Sequence, residues 1–106
     1  MGSAGRMESV HEEMLRELDR ITIRLASLNP ERLAAMDESV YRCATAIWNS
    51  TPGNNHELVR VGPTAYAAQL TVLTRDLLLQ NPNGEPDAVA ALTALTALTE
   101  LRRVLP

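Results

Sequence analysis

The sequence predicts an all-α fold: an antiparallel bundle of four helices at about residues 8–28, 30–49, 63–80 and 86–104, the first two either antiparallel or joined as one kinked helix. Apolar residues recur every three or four positions in each segment, the period of a helix with one buried side. Prolines stand at 30, 63 and 86, where each can open a helix, because the first helical N–H needs no partner and the proline φ is already helical. The apolar residues, 45% of the chain, include no Phe and only Tyr41, Trp48 and Tyr66 as aromatics. A core of Leu, Ala, Val, Ile and Met suits helices better than strands.

In the first helix Met7, Val10, Met14, Leu18, Ile21, Leu25 and Leu28 stay within a stripe of about 80° at the helical 100° per residue. Asn29 then serves as N-cap, its side chain free to accept from the amides of the turn that Pro30 opens. Leu33, Met36, Val40, Cys43, Ala44, Ile47 and Trp48 form the stripe of the second helix. Turn formers from Ser50 to Asn55 end it, and residues 51–62 make the long connection, with 56–61 expected as a short extended piece or a helical turn.

The third helix is apolar on two sides. Tyr66, Leu70, Leu73 and Leu77 form one stripe, and Ala65, Ala68, Val72 and Leu79 a second, with Leu78 beside it and a narrow polar strip at Thr64, Thr71 and Arg75. Such a helix is central in its bundle or shared with a second subunit. After a turn at Asn81-Pro82-Asn83-Gly84, Glu85-Pro86-Asp87 starts the fourth helix, which carries ALTALTALTEL over residues 91–101. Three residues advance a helix by about 300°, so Leu92, Leu95, Leu98 and Leu101 wind over half the circumference as a packing ridge. Leu95 and Leu98 are expected to be buried, Thr96 and Arg103 exposed.

At 106 residues one core is the default: residues 8–106 form a single helical domain, and residues 1–7 are a disordered N-terminus or a cloning remnant. The net charge of −3 is spread evenly, with no basic arm or acidic tail, which argues against nucleic acid as a partner. One cysteine makes no intramolecular disulfide, and no apolar run resembles a signal peptide or a membrane span. The expected location is the cytoplasm.

No motif assembles a catalytic, metal or cofactor site. Threonines spaced by three rotate away from one another on a helix, so they present no flat ligand-binding row. Glu8 and His11 match Glu-x-x-His, which di-iron bundles use in pairs, but the motif occurs once. Cys43 falls on a core stripe without a base nearby in sequence, and His56 stands in the long loop beside Glu57. Arg16, Arg20 and Arg24 line up on the first helix, but Glu12, Glu13 and Glu17 lie one turn before them and neutralise the row.

The run Leu15-Arg16-Glu17-Leu18-Asp19-Arg20-Ile21 resembles the first helix of the all-helical chorismate mutases, but Pro30 interrupts it where that helix continues. Glu12-Glu13 is similar to the start of the paired-glutamate helix of helical nucleotide pyrophosphatases, yet Arg16 stands where the next carboxylate belongs. Trp48 lies mid-chain, as in small secreted WXG proteins, but Asn-Ser-Thr-Pro-Gly follows it. The leading expectation is therefore a helical interaction or assembly protein, a homodimer that also binds a protein partner, with Ala65, Ala68, Val72, Leu78 and Leu79 as its interface. The alternative is a small all-helical enzyme that holds an anionic metabolite through Arg16, Arg32 and Arg75.

Overall fold

The computed structural model describes residues 2–54, 56–79 and 88–106, and of residues 2–8 the backbone alone. It is an all-α bundle, as the periodicity predicts, with no strand among the described residues. The elements are α1 (Gly2–Ser27), α2 (Pro30–Ala35), α3 (Asp37–Ser50), α4 (Tyr66–Leu79), entered through a 3-10 turn at Pro63–Ala65, and α5 (Ala88–Val104). The turn expected at Asn81–Gly84, the helix start at Glu85-Pro86-Asp87 and the side chains of Met7 and Glu8 lie outside the described residues.

The predicted stripes become the core. Met14, Leu18, Ile21 and Leu25 of α1, Val40, Cys43, Ala44 and Ile47 of α3, and Tyr66, Leu70, Leu73 and Leu77 of α4 are all buried in one cluster. Asn29 caps as expected, its Oδ1 accepting from the Arg32 N–H at 2.8 Å with Pro30 in the first turn. The helix expected over 30–49 is instead two. Met36 leaves the helical region at φ −87° and ψ 2°, and α3 restarts with Asp37 and Glu38 in its first turn, where carboxylates favour the positive end of the helix dipole. Six residues of α2 bury nothing fully, so α2 acts as a corner that turns the chain from α1 into α3.

Which residues meet fixes the directions. Glu17 and Arg24 of α1 touch Arg102 and Pro106 at the end of α5, so these two helices run the same way. Asp37 and Tyr41 at the start of α3 lie beside Tyr66 and Gln69 at the start of α4, so this pair runs together too. Ser39 and Arg42 face Arg103 and Val104 while Ala46 faces Thr93 and Thr96, which sets α3 against α5. The helices consecutive in the chain are thus antiparallel wherever the connection is short; the long loop, returning beside α3, makes α3 and α4 parallel neighbours. In cross-section α4 and α5 each pack between α1 and α3, from opposite sides.

The repeat of α5 divides by position. Leu98 is buried as expected, and so is Leu101; Leu95, expected buried, is only half-buried, and Leu92 is 52% exposed, because the ridge winds away from the core towards its N-terminal end. Thr96 and Arg103 are exposed, as expected. The alanines complete what the leucines leave: Ala91, Ala94 and Ala97 are all buried, and their small side chains let α5 approach both α1 and α3.

Three polar side chains are buried among the described residues: Thr51, whose hydroxyl donates to the Ile47 carbonyl at 3.0 Å, Thr74 and Glu17. Thr74 is fully buried and its hydroxyl has no hydrogen-bond partner among the described residues. Glu17 is buried as well, although its sequence position suggests a solvated face. Its Oε1 lies 3.7 Å from Arg20 and its Oε2 accepts from Arg102 Nε across the α1–α5 seam.

Candidate functional site

The outer side of α4 is where the expected interface falls. Val72 is 56% exposed and Leu79 77%, two turns apart and opposite Leu70, Leu73 and Leu77. Ala68 is exposed beside them, Ala65 is half-buried, and Leu78 packs against the core cluster. Ala68, Val72 and Leu79 therefore share one strip of α4, and Ala65 stands in the 3-10 turn that leads into it. Among the described residues the other exposed large aliphatics stand on other elements: Leu15 and Ile23 on α1, Val59 in the long loop, and Val89, Leu92 and Val104 on α5.

The arginines named for anion binding are all exposed and each sits on a different helix, α1, α2 and α4. Arg16 is engaged by Glu13 at 2.5 Å. None of the three lines the recesses between α3 and α5 described next.

Those recesses share a wall. One, of about 370 Å3, is formed by Ser39, Arg42, Cys43 and Ala46 of α3 with Ala97, Glu100, Leu101, Arg103 and Val104 of α5. The other, of about 430 Å3, is formed by Ala46 with Val89, Leu92, Thr93, Thr96, Ala97 and Glu100. Ala46, Ala97 and Glu100 belong to both, so they form one groove. It exists because alanines face each other where α3 and α5 meet, while longer side chains stand at the edges. Burial, and secondarily the nearby Glu100 charge, pushes the Cys43 thiol from 9.0 to about 12, so at neutral pH the groove floor is an inert thiol. The sequence pattern hides this groove, because its floor residues read only as core and its arginines only as surface.

The long loop is fastened along α3 by two of the chain's aromatic residues, Trp48 and Tyr41, a use that no local pattern announces. Trp48 Nε1 donates to the His56 carbonyl at 2.6 Å, and Tyr41 Oη donates to that of Leu58 at 3.0 Å. Gln69 Nε2 of α4 donates to the Val59 carbonyl at 3.0 Å. Arg60 lies 3.9 Å over the Tyr41 ring and pairs with Asp37 at 2.5 Å and Glu38 at 2.9 Å. Tyr66 Oη donates to the other Asp37 oxygen at 2.6 Å. Residues 56–61 are thus an irregular strap, not a helical turn, held by side chains, with its own Leu58 buried.

This cluster sets an alkaline limit. Burial, with the Asp37 hydrogen bond and charge, pushes the Tyr66 phenol from 10.0 to about 12, and Cys43 moves in the same direction. Both folded values are raised, so the stability they contribute is complete below the unfolded values of 10.0 and 9.0 and is lost as pH rises towards 12. Thermal unfolding is expected to be level up to about pH 9 and then to fall. Tyr66→Phe should flatten the part of the fall above about pH 10. An unchanged decline in that variant would show that the phenol is not its source.

Compared with protein-family models, curated proteins and solved structures, the chain finds no match. No helix among the described residues is long and apolar enough to cross a membrane.

Proposed function

We propose that this chain is an assembly module that forms a homodimer through the outer strip of α4 and presents the paired bundles to a protein partner. The observation that carries this reading is the exposure of Val72 and Leu79 on one line of a helix whose opposite side is already buried. Ala65, Val72 and Leu79 are spaced by seven residues with Ala68 between them, the seam spacing of paired helices. The second copy is the fitting occupant because the charges at the strip are complementary. In a parallel pair of α4 helices Arg75, seven residues after Ala68, falls at the seam and can reach Asp76 of the other copy, and both are exposed. A seam of two turns is short, so the dimer should form in the micromolar range and grow with concentration.

Sedimentation velocity from about 1 to about 500 μM tests this, spanning the weak end of specific association. The expected result is a shift from 11.6 kDa towards twice that mass, abolished by Val72→Glu with Leu79→Glu, with helical circular dichroism unchanged. An 11.6 kDa species at every concentration would end the proposal.

A further inference from the structure

The groove between α3 and α5 is lined by charges from both of its helices. Arg16, Arg20, Arg60 and Arg102 each meet a carboxylate within 4.0 Å, and Arg24, Arg32 and Arg75, which have no ion pair among the described residues, stand outside the groove. Arg42, Glu100 and Arg103 line one recess from two helices, and none of them has an ion-pair partner among the described residues. The rest of that recess is chiefly apolar: Cys43, Ala46, Ala97, Leu101 and Val104. Two guanidinium groups and one carboxylate leave a single positive charge at the rim of an apolar slot. The slot continues past Ala46 and Ala97 to Leu92 and Val89, away from the arginines.

From this arrangement we infer that the groove binds an amphipathic monocarboxylate, a small molecule with an extended aliphatic body. The carboxylate sits between Arg42 and Arg103, where each guanidinium donates charge-assisted hydrogen bonds that match a planar anion. The aliphatic body lies over Ala46 and Ala97 and reaches Leu92 and Val89, covering apolar surface that water otherwise wets. Each recess falls within the roughly 300–1,000 Å3 of small-molecule sites. Glu100 lies at the junction with its side chain in solvent, and it disfavours a second negative charge; a dicarboxylate or a phosphate monoester should bind more weakly. The arginines concerned differ from Arg16, Arg32 and Arg75, and the site is independent of the α4 strip.

Isothermal titration with decanoate, below its micelle concentration, tests the inference on the full chain and on the Val72→Glu, Leu79→Glu background. The expected result is one decanoate per chain on both backgrounds, with decanol bound more weakly. Arg42→Gln and Arg103→Gln should each weaken decanoate by about tenfold. Both side chains are exposed, so neither change threatens the fold. Ala46→Leu, which fills the shared wall, should weaken decanoate far more than it weakens butyrate. No binding, several decanoates per chain, or affinity untouched by both arginine changes would overturn the inference. Binding only of an acidic helical peptide would overturn it too.

Discussion

Leu98→Ala is expected to destabilise the chain by about 3 kcal/mol, whereas Leu92→Ala in the same repeat should cost no more than about 0.5 kcal/mol. The sequence around the two leucines is identical, Ala-Leu-Thr, so a local or repeat-encoded role would make them equivalent. The structure makes them opposites: Leu98 is fully buried and Leu92 is half exposed. Removing the Leu98 side chain loses its transfer free energy and leaves a hole between helices that cannot close around it, whereas Leu92→Ala mainly trims surface already in water. With net stabilities of only about 5–15 kcal/mol, the first change removes a large share of the total. Urea unfolding at 25 °C measures both. Equal losses would mean that α5 does not present this face to the core.

The contrast shows what a helical period makes legible. Stripes that repeat every three or four residues identify the buried side of α1, α3 and α4, since burial there follows one azimuth along the helix. In α5 the repeat of three carries leucine off that azimuth, and its alanines take the inward positions the leucines leave. Both the ridge and its exposed end at Leu92 follow from geometry on the sequence alone, but the alanine contacts do not, because alanine carries little signal of its own. The break at Met36 is likewise hidden. Nothing in Ala-Ala-Met-Asp forbids a helix, and at the corner Asp37 receives Arg60 from the long loop and Tyr66 from beyond it.

The candidate surfaces differ in the same way. The strip on α4 is legible because one helix supplies it, and its inner and outer sides separate by azimuth. The groove needs Arg42 and Arg103, 61 positions apart, on helices whose pairing only the fold specifies. Tyr41, Trp48 and Tyr66 are similarly silent: in sequence Trp48 and Tyr66 are apolar stripe residues and Tyr41 stands off the stripe, and in the fold their polar atoms fasten the strap and the start of α3. A polar handle on a large apolar side chain serves both tasks at once.

Arg102→Leu should cost about 3 kcal/mol, and Arg103→Leu next to it almost nothing. The cause is Glu17, whose carboxylate is 4% exposed at the α1–α5 seam and accepts from Arg102. A buried carboxylate stripped of its partner keeps its desolvation cost and loses the attraction that offsets it; Arg20, at 3.7 Å and mostly in solvent, compensates in part. Glu17→Leu should cost less, about 1 kcal/mol, since Arg102 is a third exposed and can turn its charge towards water. The double variant Glu17→Leu, Arg102→Leu removes both charges and leaves the seam apolar, and should return to within about 1 kcal/mol of the parent stability. Denaturant unfolding of the four species then gives a coupling energy of about 3 kcal/mol, most of it the penalty of an orphaned charge. Because this pair ties the middle of α1 to the end of α5, additive effects would mean that the two helices are not joined at this level.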